Sequence, residues 1–577
     1  MRTLALALLL VVAGCQRDIS DERLLEMSLA AERESAFAAS AAHDGPGVAE
    51  TNTGTARFAS IVFAGFSAER ALETTAFADR FYREPANDGF EAVIDHVATE
   101  LGAVGFGASD ALTLEVLETP LKTPSWTPKS ARLELVGAPS ARVLHSFSKP
   151  EDRDRTMLPC NAPSADVEGR LVTTLDAVEA GCVLLADTGL RGKLLEDARA
   201  KGAVLVIASD LADYCIDPKK KGDRHRDAIG YRHVSYPAAL PVVQISPRSA
   251  DLLREALALN RETRIHFQCE VAFVERPLRT VVATIVGASK PFECVALAAH
   301  VQEPGACDNA SGVGTLLEAA RVAVKSIQAR EIATPSRSIS FVFGNEMAQS
   351  RIFLDHTTRR VIAGLAADMT GESLKETGAI ALLERTPDPG ALKALAPDRH
   401  TAWSKADGAT ATVDELSPNG LAVIARCALV DVGRLSKAWK TAEHPYEGGS
   451  DHTVFLARDV PAVLFWHFTD FAYHTSLDRL ENVDANEMKR TGAALLSTAL
   501  AVADASPVDL ERYLASLQRE AAVRVQSANE ASDPEIEQAW REWTTGARLW
   551  LRALCLATEW PASKNTIPAP IRKSESP

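Results

Sequence analysis

His300-Val301-Gln302-Glu303-Pro304-Gly305-Ala306-Cys307-Asp308-Asn309-Ala310-Ser311-Gly312 joins an apolar run at 294–299 to a helical pattern at 315–325. A histidine at the end of one strand and an aspartate at the mouth of the next helix then share one rim of a sheet. Open α/β sheets bind their ligands outside the carboxyl ends of their strands. A histidine and a carboxylate together at such a rim suit a divalent metal, zinc first among them.

Three further segments repeat the arrangement. The strand pattern at 339–343 delivers Gly344-Asn345-Glu346, that at 361–367 delivers Asp368, and that at 460–465 is followed by Tyr473-His474-Thr475. Four apolar runs each ending in a metal-ligating residue type make a constellation, where a lone histidine would read as a structural residue.

At these residues the chain resembles the zinc exopeptidases of metallopeptidase family twenty-eight, a group of aminopeptidases, carboxypeptidases and, more distantly, glutaminyl cyclases. The matching positions are His300, the run 308–312, Glu346, Asp368 and His474, with the downstream text 475–484 also similar. The resemblance implies that Asp308 bridges two zinc ions, that His300 and Asp368 complete one site, and that His474 belongs to the other. The loop Gly448-Gly449-Ser450-Asp451-His452 also resembles a pocket-lining loop of the family, which offers Asp451 and His452 as substrate contacts, the alternative being a hydrogen-bonded turn.

Two departures stand out. The family has adjacent glutamates, general base then ligand, whereas this chain has Glu346-Met347, and a thioether is a poor zinc ligand. Glu346 is taken as the base, with the ligand role as the alternative. Gln302 stands where the family has an aspartate that orients the ligating histidine. An amide can accept the ring N–H but brings no charge to strengthen it. Both changes remove negative charge, so one tight zinc on His300, Asp308 and Asp368 is expected, with a second site weak or absent.

With 577 residues and 46% hydrophobic content the chain holds more than one domain. A net charge of −15 without a sustained basic stripe argues against nucleic acid as a partner. Lys219 to Lys221 reads as a solvated loop. The N-terminus differs: Arg2 precedes an apolar stretch, and Val12-Ala13-Gly14-Cys15 resembles a bacterial lipobox with Cys15 as the lipidated residue. This implies export and attachment to the cell envelope, on the periplasmic face of the outer membrane where a cell has two membranes. The other eight cysteines show no CxxC metal pattern. Cys160 and Cys215 are candidates for a disulfide in an oxidising compartment.

The organisation read from the text is a signal peptide at 1–14, a tether at 15–55, a first peptidase part at 56–149, and a protease-associated-like insertion at 150–268. The main catalytic part follows at 269–505 and a helical extension at 506–577. The fold class is α/β: a mixed, mostly parallel sheet with helices on both faces, a β-rich α/β insertion and a C-terminal helical hairpin. The expected function is a lipid-anchored zinc exopeptidase, of aminopeptidase type, hydrolysing peptide bonds at peptide or protein N-termini by metal-activated water. The alternatives are a catalytically silent peptide- or partner-binding lipoprotein and an acyl-transferring glutaminyl cyclase.

Overall fold

The computed structural model describes residues 52–557 apart from 137–141, 188, 191, 216–222, 405, 407, 437 and 438. The lipobox with Cys15, most of the tether, the basic run at 219–221 and the tail beyond Pro561 lie outside the described residues.

Helices α1 (Ala56–Gly65), α2 (Ala68–Asp79) and α3 (Asp88–Val104) open the described chain. Asn87 caps α3 by accepting from the Phe90 N–H at 2.8 Å, and Gly105 ends it with φ 119°. Phe90, Val93, Ile94, Val97 and Leu101 of α3 are buried, as their helical spacing requires. Strand β1 (Leu112–Thr119) follows. The chain then leaves to build a second sheet from β2 (Ser125–Val136), β3 (Arg142–Phe147), β4 (Ala165–Val172), β5 (Cys182–Ala186), β6 (Leu205–Ala208), β7 (Val242–Gln244) and β8 (Arg264–Val274). Helices α4 (Leu194–Ala200) and α5 (Pro247–Leu259) lie between these strands. The strand order is β3-β2-β8-β4-β5-β6-β7.

This second sheet begins at 125 and ends at 274, so it reaches beyond the 150–268 read from the text. The reason is pairing: β2 and β8 form a long antiparallel ladder from Ser125↔Val274 to Val136↔Arg264.

The main sheet resumes with β9 (Leu278–Ile285), β10 (Lys290–His300), α6 (Ala310–Gln328), β11 (Arg337–Gly344), α7 (Ala348–His356), β12 (Arg360–Ala367) and β13 (Ile380–Glu384). After the short α8 (Pro389–Leu392) come α9 (Leu421–Leu435), β14 (Thr441–His444), α10 (His452–Leu456), β15 (Ala462–Phe468) and α11 (Ala485–Ala503). Its eight strands run β1-β9-β11-β10-β12-β15-β13-β14.

The central four, β11, β10, β12 and β15, are mutually parallel, so their carboxyl ends share one rim. Val295, Leu297 and Ala299 of β10 face the core shared with α6 and α11. Cys294, Ala296 and Ala298 face the opposite core, with Phe353 of α7 and Phe455 of α10. Burial on both faces is why the strand reads as an unbroken apolar run.

The last two helices, α12 (Leu510–Glu530) and α13 (Pro534–Leu556), pack together and onto the main body. Asp533 caps α13, accepting from the Ile536 N–H at 3.1 Å ahead of Pro534 in the first turn. Tyr513, Trp550, Leu551 and Leu554 enter the main core, while Ile536, Trp540 and Trp543 form a satellite cluster with Leu416. A buried ionic network ties the hairpin down. Arg426 of α9 donates to Glu443 at 2.5 and 2.8 Å and to Glu520 of α12 at 2.7 and 3.0 Å. Arg524 reaches Asp398 at 2.8 Å, which also pairs with Arg385. Burial pushes the Glu520 carboxyl up, but Arg426 and Arg524 outweigh it and hold the group at about 2.

Cys160 and Cys215 do not pair; both are buried free thiols. Cys160 sits in the loop whose N–H bonds the Arg232 carbonyl, whereas the Cys215 thiol lies at 3.6 Å from the Tyr473 carbonyl.

Arg426→Met is expected to strand the Glu443 and Glu520 carboxylates in the interior. Loss of one partner from a buried ion pair typically destabilises by ~3–5 kcal/mol. Urea unfolding of this variant should show a loss of that order; a loss below ~1 kcal/mol would mean the network does not anchor the hairpin.

Candidate metal centre

Two imidazoles and several carboxylates converge on the shared rim. His300, the last residue of β10, points Nε2 toward Asp308 Oδ1 at 3.3 Å and toward Asp368 Oδ1 at 3.9 Å. His474, from the loop after β15, places Nε2 at 3.0 Å from Asp308 Oδ2. Asp308 thus offers one oxygen to each imidazole. Ligating atoms of His300, Glu346 and Asp368 lie within 4.8 Å of one another, as do those of His300, Glu303 and Asp308. The sequence-derived set His300, Asp308, Glu346, Asp368 and His474 is therefore brought together, with Glu303 added to it.

The Asp-Asn-Ala-Ser-Gly text is the fastening of this rim. Asn309 caps α6 by accepting from the Gly312 N–H at 3.0 Å, and accepts also from the Met369 N–H at 3.0 Å. Its amide donates to the Ala367 carbonyl at 3.1 Å, so one side chain joins the mouths of α6 and β12. A Cβ at Gly312 would collide with that Asn309 side chain. Ser311 donates to the Cys307 carbonyl at 2.7 Å and accepts from the Thr370 N–H at 2.9 Å. Asp478 accepts from the N–H groups of Cys307 at 2.7 Å and Asp308 at 2.9 Å, fixing the backbone that carries Asp308.

Three expected roles are reassigned. Gln302 does not serve His300: its amide lies 3.3 Å from Glu303 Oε1 and 3.5 Å from the Tyr231 hydroxyl. The loop turns it away, and the groups facing His300 Nδ1 are Asn309 at 3.3 Å and Asp451 at 3.7 Å. Asp451 is consequently no substrate contact. It is buried, accepting from Gln349 and Ser350 side chains at 2.7 Å each and from the Met347 N–H at 3.0 Å. A carboxylate does stand behind His300, but it comes from another loop. His452 is likewise buried, with Nε2 at 2.7 Å from Glu384, because the first turn of α10 points it beneath the 446–450 loop.

Sequence reasoning missed Glu303, Asp478 and Tyr231. Tyr231 belongs to the long excursion between β6 and β7. Its N–H donates to the His474 carbonyl at 2.8 Å, its ring packs edge-on against His474, and its hydroxyl donates to Glu84 at 2.6 Å. Gly230 and Thr475 form an antiparallel bridge, with Ser476 N–H donating to the Ile229 carbonyl at 2.8 Å. No sequence signal near 231 marks this role. Asp478 had one, since it lies in the text 475–484 that resembles the family.

The electrostatics fit a bound cation. Burial pushes Asp368 up to about 6 against the pull of His300. Burial and then Asp308 push Glu303 up to about 8. Burial also holds Glu346 well above the usual carboxylate range. Burial alone would lower both histidines. Asp368 and Glu346 overcome it at His300, and Glu303 and Asp308 at His474, so both are held well above the ordinary imidazole value. Asp368 Oδ1 is buried without a hydrogen-bond partner. A cluster of carboxylates whose charges are this unfavourable together is what a divalent cation relieves.

Glu303, Asp308, Glu346, Asp368 and His474 floor a cleft of about 280 Å³. Its walls are Tyr214, Met369, Trp403, Leu464, Trp466 and Tyr473, with Gly448, Gly449 and Ser450 at one side.

Residues 280–390 and 416–499 match the family model described as Peptidase family M28. Among solved structures, the chain is similar to a Peptidase M28 precursor from Shewanella amazonensis. The identity is 16% and the TM-score 0.51, over 77% of this chain and 96% of that one. A zinc aminopeptidase from Bacillus subtilis aligns at 15% identity and TM-score 0.49, over 75% and 94% of the two chains. An aminopeptidase from Aneurinibacillus sp. strain AM-1 aligns at 18% and 0.46, over 77% and 96%. The first of these likenesses shows a shared fold. A search of curated proteins finds no match.

Asp308→Ala removes an oxygen from each imidazole at once. It is expected to be the most damaging single change to metal retention, read by elemental mass spectrometry of the purified protein. A variant that keeps the wild-type metal content would remove Asp308 from the bridging position.

Proposed function

We propose that the protein is a zinc-dependent exopeptidase of aminopeptidase type, exported and held to the cell envelope through lipid on Cys15. The observation that carries this is the convergence of Asp308, Asp368, His474 and Glu346 at the floor of one small cleft, with the buried His300 directly against Asp308 and Asp368. The imidazole and carboxylate donor set suits zinc. His300, Asp308 and Asp368 would hold one ion, and Asp308 with His474 would contribute to a second.

When bound, zinc supplies acidification of water and polarisation of the scissile carbonyl. The protein's own contribution is placement and proton traffic. Glu346 lines the cleft beside His300 and Asp368. With its carboxyl raised by burial it is suited to take a proton from the attacking water and return it to the departing amine. Asp451 and Asn309 fix the His300 ring from behind, and Asp478 fixes Asp308.

The cleft walls favour an amino over a carboxyl terminus. No Lys or Arg is among the described residues that line it, so a substrate carboxylate would lack a partner, whereas an ammonium meets an acidic floor. The aromatic and aliphatic wall suits a single apolar N-terminal side chain. The apolar stretch ending at Cys15 supports envelope attachment.

Purified protein with zinc is expected to hydrolyse aminoacyl anilides, those of apolar residues fastest, and to lose the activity to chelator. Glu346→Gln should lower kcat by ~10²–10⁴-fold, the usual contribution of a general base, while metal content holds. Zinc bound without any hydrolysis would favour a binding lipoprotein. Release of pyroglutamyl product from N-terminal glutamine would favour the cyclase.

Cys15→Ala should shift the protein from the membrane fraction and abolish labelling by radioactive fatty acid. An unlabelled wild-type protein would sink the anchor.

A further inference from the structure

We infer that Glu303 supplies the carboxylate ligand missing at Met347 and completes, with Asp308 and His474, a second zinc site. The inference rests on the zinc peptidase reading and adds a ligand to it.

The geometry is local and specific. His474 Nε2 faces two carboxylates, Asp308 Oδ2 at 3.0 Å and Glu303 Oε2 at 3.1 Å. Two carboxylates of the loop after β10 and the imidazole of the loop after β15 thus gather at the Oδ2 side of Asp308. Glu303 lines the cleft, whereas Met347 does not. Met347 instead has φ 56° and its N–H on Asp451. Position 347 therefore serves the loop that backs His300, and the His474 side must find its second carboxylate elsewhere.

Glu303 is built into place. It is 7% exposed and adopts φ 88°, a left-handed conformation that non-glycine residues take only where the surroundings impose it. The imposing group is Arg83, buried in the loop between α2 and α3. The Glu303 N–H donates to the Arg83 carbonyl at 2.9 Å. The Arg83 guanidinium donates to the carbonyls of Val301 at 2.8 Å and Gly305 at 2.6 Å. The residues on both sides of Glu303 are thus clamped to one side chain. Gln302 occupies Glu303 Oε1 at 3.3 Å, which leaves Oε2 for His474. The two departures at 302 and 347 are then one rearrangement: the charge absent from both is carried at 303.

The expectation of a weak second site counted only positions 302 and 347. With Glu303 the His474 side has one nitrogen and two carboxylates, a donor set sufficient for zinc with a position left open.

The test is titration of the metal-free full chain with zinc against a competing chelator dye, together with zinc content by elemental mass spectrometry. Wild type is expected to bind two zinc ions. Glu303→Gln should bind the first within a few-fold of wild type and the second more than ~100-fold more weakly, beyond the 10–100-fold typical of losing an outer partner. Glu303→Asp, which keeps the charge on a shorter arm, should fall between them, and it carries the test if the glutamine variant does not fold. Two unchanged dissociation constants in Glu303→Gln would overturn the inference. So would equal weakening of both sites, which marks a structural ion pair, and so would a wild type that binds only one ion. A wild type that binds no zinc would sink the peptidase reading itself, a result distinguishable from all of these.

Discussion

One carboxylate facing two imidazoles is the constraint around which this molecule is arranged. Asp308 turns its oxygens to His300 and His474, which lie 174 positions apart in the chain and stand at or after the ends of different strands of one sheet. An aspartate has little reach, so its backbone must be fixed before its side chain can serve two partners. Asp478 does so through two N–H groups, Ser311 through the Cys307 carbonyl, and Asn309 by capping the helix that begins immediately after it. The sheet contributes the rest, since four parallel strands bring their carboxyl ends to one edge.

The price of the arrangement is electrostatic. Glu303, Asp308, Glu346, Asp368 and Asp451 are gathered about His300 and His474, mostly out of water. Isolated buried carboxylates are strongly unfavourable unless paired, hydrogen-bonded or bound to metal. Asp451 is satisfied by three donors and Asp308 by two imidazoles, while Asp368 keeps one oxygen without a partner. The same logic governs the far side of the molecule. There Arg385, Arg426 and Arg524 neutralise Asp388, Asp398, Glu443 and Glu520, so fixed charges do what a cation would do at the cleft.

What could be read in advance follows from what is contiguous. The strands at 294–299 and 339–343 are apolar throughout because both faces are covered, and the ligands sit directly at their ends, so text and geometry coincide. Asp308 to Gly312 is legible because the helix cap it forms, Asn309 on the Gly312 N–H, is local, although its other bonds reach Ala367, Met369, Thr370 and Asp478. Glu303 was not legible: an acidic residue before Pro-Gly reads as solvated loop, and only the distant Arg83 turns it inward. The role of Asp451 stayed open between substrate contact and hydrogen-bonded turn for a related reason. A Gly-Gly-Ser-Asp-His loop looks like a substrate-lining turn, and only the packing of α7 shows that Asp451 backs His300. The start of the second sheet at 125 was hidden because β2 depends on a partner more than a hundred residues later.

The pairing of Gly230 with Thr475 has a bearing on how separable the parts of this chain are. The loop that carries His474 is a piece of backbone whose partners lie in the excursion between β6 and β7. Sequence inspection treats such an excursion as a module that evolution added and an experimenter might excise. Excision here would leave the N–H of Ser476 and the carbonyl of His474 without their partners, beside a candidate metal ligand whose own backbone is left-handed at φ 54°. The second sheet is therefore not an appendage to a finished site. The smallest piece of this chain that holds its full ligand set in order must include the excursion as well as the sheet that bears the site.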